Sequence, residues 1–172
     1  MKDSKIIVIV PTFNEVHNLP TLADRIFDQD IRNLDILIVD DNSPDGTADL
    51  ARGLSSNYGN RIYVLDIQQK FGLANAYNQG FSWALYNSYD IIIQMDGDLS
   101  HNPIYIQRMI DALDQYDVVI GSRYAQEGEI SEDWSFVRRT ISSLGNFCIR
   151  NVLSLDINDI TSGFKAFNSQ VA

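Results

Sequence analysis

The chain has 172 residues, 45% of them hydrophobic and 21% charged, enough for one domain with a buried core and too few for two of ordinary size. A formal net charge of -10 excludes nucleic-acid binding through bulk electrostatics and any general attraction to an anionic membrane, so phosphorylated substrates would need cations placed locally, as metal or arginine. Cys148 is the single cysteine, which fits a reducing compartment and a small core residue; no signal peptide is visible, no apolar run approaches the ~18 residues that cross a bilayer, and a soluble chain is expected.

Apolar runs and helical patterns alternate from the start. Ile6 to Val10 is a continuous β-branched run, as expected of a strand buried on both faces. Asn18 to Asp28 follows as a helix, with Leu19, Leu22, Ile26 and Phe27 near helical spacing. Ile36 to Val39 predicts a second buried strand, Asp45 to Leu54 a helix, Arg61 to Leu65 a strand and Leu73 to Asn87 a longer helix. Strand Asp90 to Met95, helix Pro103 to Gln115 and strand Asp117 to Ile120 continue the pattern. Beyond Gly121 the rhythm changes. Arg123 to Asp133 reads as a polar loop, Trp134 to Leu153 as a helical repeat interrupted by Gly145, and Ser162-Gly163 as a turn. The alternation predicts one α/β domain with a mainly parallel central sheet, whose ligands gather beyond the carboxyl ends of the strands.

Those ends carry the chemistry. The fourth strand leaves through Met95-Asp96-Gly97-Asp98-Leu99-Ser100. Two carboxylates one residue apart are costly to desolvate unless a cation sits between them, and Mg²⁺ or Mn²⁺ prefers such oxygen ligands while also binding phosphates. Gly97 clears space for a ligand. The competing reading is an acidic turn that caps the next helix, with Ser100 or Asn102 as N-cap.

The second strand leaves through Val39-Asp40-Asp41-Asn42-Ser43-Pro44-Asp45-Gly46-Thr47. Asp41 is placed to accept hydrogen bonds from nucleobase N–H groups, and Asp45 or Ser43 to cap the following helix. The first strand leaves through Pro11-Thr12-Phe13-Asn14-Glu15. Three strand ends converging in acids is a stronger signal than any one of them. Gly121-Ser122-Arg123-Tyr124 and Arg138-Arg139 with Ser142 supply a basic counterpart, suited to a second phosphorylated substrate or else to a solvated helix face. His17 and His101 could be metal ligands, but isolated histidines on loops are more often solvated.

Taken together, Pro11 to Glu15 with Asn18-Leu19-Pro20, Val39 to Thr47, Met95 to Pro103, Gly121 to Tyr124, Trp134, Arg138-Arg139 with Ser142, and Thr161 to Lys165 resemble the dolichol-phosphate (polyprenol-phosphate) mannosyltransferases of glycosyltransferase family 2. The resemblance spans nearly the whole chain and implies the GT-A fold, an α/β nucleotide-diphospho-sugar transferase architecture. It implies that Pro11, Phe13 and Glu15 lie along base and ribose, and that Val39 and Asp41 line the base pocket. Asp96, Gly97 and Asp98 would hold ribose, metal and diphosphate, with Ser100 completing the metal site where some relatives carry glutamine. Arg123, Arg138 and Ser142 would grip the acceptor phosphate, and Phe13 stands where tyrosine is frequent.

The implied activity is inverting transfer of a hexose, mannose from GDP-mannose, onto polyprenyl phosphate at the cytoplasmic face of a membrane, with no nucleic-acid partner. A UDP-sugar donor is the alternative. Family members usually continue past the Ser-Gly-Phe-Lys segment, so a single catalytic domain, 1–172, truncated at its C-terminal end, is expected, and a donor-binding fragment without transfer activity stays open. A phosphatase of the haloacid dehalogenase type also uses D-x-D, but with Thr or Val where Ser100 stands. A dinucleotide-binding domain would need G-x-G-x-x-G after the first strand, which is absent.

Overall fold

The computed structural model describes residues 3–122, 159 and 162–172. Strand β1 (Ile6–Thr12) is buried at every position, and its side chains alternate between two separate cores. Ile6, Val8 and Val10 face one and Ile7 and Ile9 the other, the period-two geometry that makes a doubly buried strand read as an unbroken apolar run. Strand β2 (Leu34–Asp40) divides in the same way, with Leu34, Ile36 and Ile38 opposite Leu37 and Val39. Each fully buried aliphatic side chain contributes about 1.5–3 kcal/mol.

Helices cover both faces. Helix α1 (Leu19–Phe27) buries Leu19, Leu22, Ala23 and Ile26 in the first core, joined by Ala51 of α2 (Thr47–Ser55) and by Ile106, Met109 and Ile110 of α4 (Ile106–Ala112). Helix α3 (Leu73–Tyr86) closes the second core with Ala76, Tyr77 and Ala84. It approaches so closely that a Cβ on Gly80 would stand 2.6 Å from Ile9 Cγ2.

The sheet is completed by β3 (Ile62–Asp66), β4 (Ile91–Gln94), β5 (Val118–Ile120) and β6 (Lys165–Asn168), in the order β3-β2-β1-β4-β6-β5. The first four strands are parallel. Strand β6 runs antiparallel to both its neighbours, pairing Gln94 with Lys165 and Ile120 with Lys165. Its direction puts the preceding residues, Ser162 to Phe164, at the carboxyl end of β4.

The predicted elements up to Ile120 are all present, with shifts at their ends: β1 runs two residues further, to Thr12, and α4 is shorter than expected because Pro103–Tyr105 forms a 3₁₀ turn before it. Strand β6 was not expected. The loop 123–133 and the helical repeat 134–153 lie outside the described residues. Among the described residues, no helix is long and apolar enough to cross a membrane.

Candidate active site

Strands β1, β2 and β4 end together, and each chain exit turns sharply. Asn14 and Asn42 take left-handed backbone at φ 63° and 61°, which asparagine tolerates. Leu99 does the same at φ 64°, an unfavourable conformation for leucine, held because its side chain packs against the first core. This turn aims the two acids before it.

The acids of β2 do separate work. Asp40 is buried and binds the strand ends to each other: Thr12 Oγ1 (2.9 Å), Ser43 N (2.8 Å) and Ser43 Oγ (2.6 Å) all donate to it. Asp41 accepts the backbone N–H groups of Phe71 and Gly72, each at 2.9 Å, so it shapes the loop that leads into α3. A carboxylate has about four acceptor positions, so capacity for a ligand N–H is left. Asp45 accepts from Thr47 N, Thr47 Oγ1 and Val16 N, tying the β1 exit to the start of α2. The small desolvation of its carboxyl is outweighed by those hydrogen bonds, which hold it below the usual carboxylate range.

Asp96 is seated by three segments, two of them distant in sequence. Tyr77 on α3 donates its hydroxyl to Oδ1 at 2.8 Å. Burial, then the Asp96 charge, push the Tyr77 phenol far up, so it stays a donor. The Asp96 N–H donates to His101 Nδ1 at 3.1 Å, which places the ring proton on Nε2, 3.8 Å from Asp96 Oδ2. The His101 ring stacks on Phe164, with centroids 5.3 Å apart. Gly163 lies close to the same carboxylate, and a Cβ there would stand 2.3 Å from Oδ2. Asp98, by contrast, is exposed, with Oδ1 accepting the Ser100 N–H at 3.0 Å.

These residues surround an open cleft of about 260 Å³, lined by Pro11, Phe13, Glu15, Asp41, Asp96 and Asp98 among others. Among the described residues, four carboxylates and one ammonium, Lys70, line it, and the Lys70 Nζ lies 3.2 Å from the Phe13 ring centroid. A diphosphate cannot enter so acidic a wall without a countercharge. The donor set fits Mg²⁺ or Mn²⁺: two hard carboxylates on the cleft wall, no third acid or histidine closing a cage among the described residues, and room for phosphate oxygens.

Of the residues singled out from sequence, Pro11, Phe13, Glu15, Asp41, Asp96, Gly97 and Asp98 come together on this cleft. Val39 does not reach it, because its alternation sends the side chain into the second core, fully buried. Ser100 is exposed and off the lining, and its N–H serves Asp98, while Asn102 is the residue that caps the next turn. His101 is not a solvated loop residue; its side chain is 10% exposed. Arg123, Arg138 and Ser142 lie outside the described residues. Lys70, Tyr77 and Gly163 were missed. The acidic cleft's need for a local cation was a signal for Lys70, whereas nothing in sequence marked Tyr77 apart from a core aromatic.

A sheet of this order, with acids gathered at the carboxyl ends of β1, β2 and β4, defines a GT-A-type α/β domain. The chain belongs to glycosyl transferase family 2, whose family model matches residues 7–172. It is 39% identical over 166 residues to the polyprenol monophosphomannose synthase of Mycolicibacterium smegmatis, covering 96% of this chain and 62% of that protein. The chain therefore spans less than two thirds of that relative's length. Two solved structures share the fold. One is a mannosyltransferase from Pyrobaculum calidifontis in complex with GDP-mannose and Mn²⁺ (TM-score 0.61, 24% identity, 68% of this chain and 35% of that one). The other is glucosyl-3-phosphoglycerate synthase from Mycobacterium tuberculosis with Mn²⁺, UDP and phosphoglyceric acid (TM-score 0.71, 15% identity, 98% of this chain and 57% of that one).

Proposed function

We propose that this chain carries the donor-binding and catalytic part of a metal-dependent, inverting glycosyltransferase that moves mannose from GDP-mannose onto a polyprenyl phosphate at the cytoplasmic face of a membrane. The observation that carries the reading is the Asp96/Asp98 pair on an acidic cleft, in a chain 39% identical to a polyprenol monophosphomannose synthase. Asp96 and Asp98, with Ser100 beside them, would hold the cation. When bound, it neutralises the charge that develops on the departing nucleoside diphosphate.

The protein's own part is positioning. Pro11, Phe13 and Glu15 are assigned to the nucleoside and Asp41 to base N–H groups, a reading supported by their shared place on the cleft lining. Lys70 is the cation on that wall among the described residues and is assigned to a phosphate or base carbonyl of the donor. Arg123, Arg138 and Ser142 are assigned to the acceptor phosphate. That phosphate is anionic at neutral pH and needs no general base. Its oxygen bonds to the anomeric carbon as the bond to the diphosphate oxygen breaks on the opposite face, so configuration inverts and no covalent enzyme intermediate forms.

A UDP-sugar donor is the second reading, because the fold is shared with an enzyme solved with UDP and Asp41 would accept an N–H from guanine or uracil alike. Thermal stability with GDP-mannose, UDP-glucose and UDP-GlcNAc, each with and without Mn²⁺, tests both. A donor at about 100 times its dissociation constant adds about 2.7 kcal/mol. Stabilisation by GDP-mannose, dependent on Mn²⁺ and lost in Asp98→Ala, is the expected result. The same pattern with a UDP-sugar alone selects the second reading, and no shift with any donor removes both.

A further inference from the structure

The two carboxylates of the acidic pair are treated very differently by the fold. Asp98 is exposed and held through one backbone N–H on its own turn. Asp96 is fixed from three sides by residues that lie far apart in sequence: Tyr77 on α3, His101 after β4 and Gly163 before β6. A surface acid needs none of this. A carboxylate that must present a defined oxygen to a ligand does, because an unheld side chain loses rotamer freedom on binding and that loss opposes affinity.

Within this seat Tyr77 is the group that touches a carboxylate oxygen directly by hydrogen bond. Its ring is 7% exposed and packed in the second core with Ala76, Ile9 and Ile92. The side chain therefore cannot follow Asp96 if the acid turns. Gln94, at the end of β4, meets the same hydroxyl and steadies it. Gly163 leaves room for that carboxylate, since a Cβ there would stand 2.3 Å from Oδ2. With Oδ1 engaged by the phenol and Gly163 packed close to Oδ2, acceptor capacity remains for a ligand in the cleft that Asp96 lines.

We propose that Tyr77 is a positioning residue for the cation–diphosphate site, its hydroxyl fixing the Asp96 carboxylate in the orientation that receives the metal. The inference rests on the reading of Asp96 and Asp98 as that site. Groups that orient metal ligands from behind typically contribute about 10- to 100-fold to metal affinity, and that is the size of effect to look for.

The probe is Mn²⁺ titrated in the presence of GDP, and in parallel UDP, with free Mn²⁺ read by electron paramagnetic resonance. Tyr77→Phe removes the hydroxyl and keeps the packed ring. It should weaken Mn²⁺ binding by about 10-fold or more, with the thermal midpoint of the ligand-free protein close to that of the parent. In an Asp96→Ala background the same substitution should change Mn²⁺ affinity little, because the group it orients has gone. A Tyr77→Phe protein that binds Mn²⁺ like the parent, or one weakened equally with and without Asp96, overturns the positioning role. If Asp98→Ala binds Mn²⁺ as the parent does, the site reading itself fails and the inference fails with it. If Asp98→Ala loses binding while Tyr77→Phe keeps it, the site stands and Tyr77 is a core residue only.

Discussion

Gly163 faces Asp96 across a gap too small for any side chain, although it carries no functional group of its own. A methyl group there would lie 2.3 Å from Oδ2 and 2.9 Å from Cγ, so Gly163→Ala must rotate the carboxylate, breaking its bond to Tyr77, or displace the turn. Overpacking of this kind costs about 1–3 kcal/mol. Urea denaturation should register that loss, and Mn²⁺-dependent stabilisation by donor should fall with it. Stability and metal response both unchanged would show that the turn before β6 yields freely. At this scale the acids were legible in sequence because each follows an apolar run that could only be a buried strand. Their partners were not. Tyr77 and Gly163 reach Asp96 through the fold and His101 through the turn that follows it, and a phenol on a helix has the same sequence signature whether it meets solvent, core or carboxylate.

Between elements, the contact of α1 with the turn after α2 carries a titration of its own. Tyr58 stacks on Phe27, with centroids 4.6 Å apart, and donates its hydroxyl to Asp24 of α1. Burial, then the hydrogen bond and charge of Asp24, push the Tyr58 phenol up to about 12. A group raised on folding adds stability that is complete below its unfolded value, ~10, and is lost as the pH climbs through about 12. Stability should therefore fall over that alkaline range, and Tyr58→Phe should flatten the fall; phenolate absorbance against pH reads the same event directly. Parallel strands β1, β2 and β4 were readable because both faces are covered and each carries an apolar run, Ile6 to Val10, Ile36 to Val39 and Ile91 to Ile93. Strand β6 was not. It has four residues, Lys165-Ala166-Phe167-Asn168, of which Ala166 alone is buried, and it joins the sheet beside strands that precede it by at least 45 residues. Pattern reading has no purchase on a segment whose pairing is decided by partners so far away.

Across the whole molecule the sheet has a firm half and a lighter one. Strands β1 and β2 are seven residues each and buried at almost every position, while β5 has three residues, none of them buried. Hydrogen exchange should be slowest at the amides of β1, β2 and β4 and markedly faster in β5. Uniform protection across the six strands would contradict this gradient. The late arrival of β6 gives the same asymmetry an order in time. A ribosome adds about 5–20 residues per second, so the segments forming β1 to β4 are synthesised well before residue 165. Until then β4 has an unpaired edge, the kind of surface that recruits stray strands, and Asp96 lacks its neighbour Gly163. The nascent chain thus carries its acidic pair, and every described residue that lines the cleft, before β6, which pairs with β4, has been made.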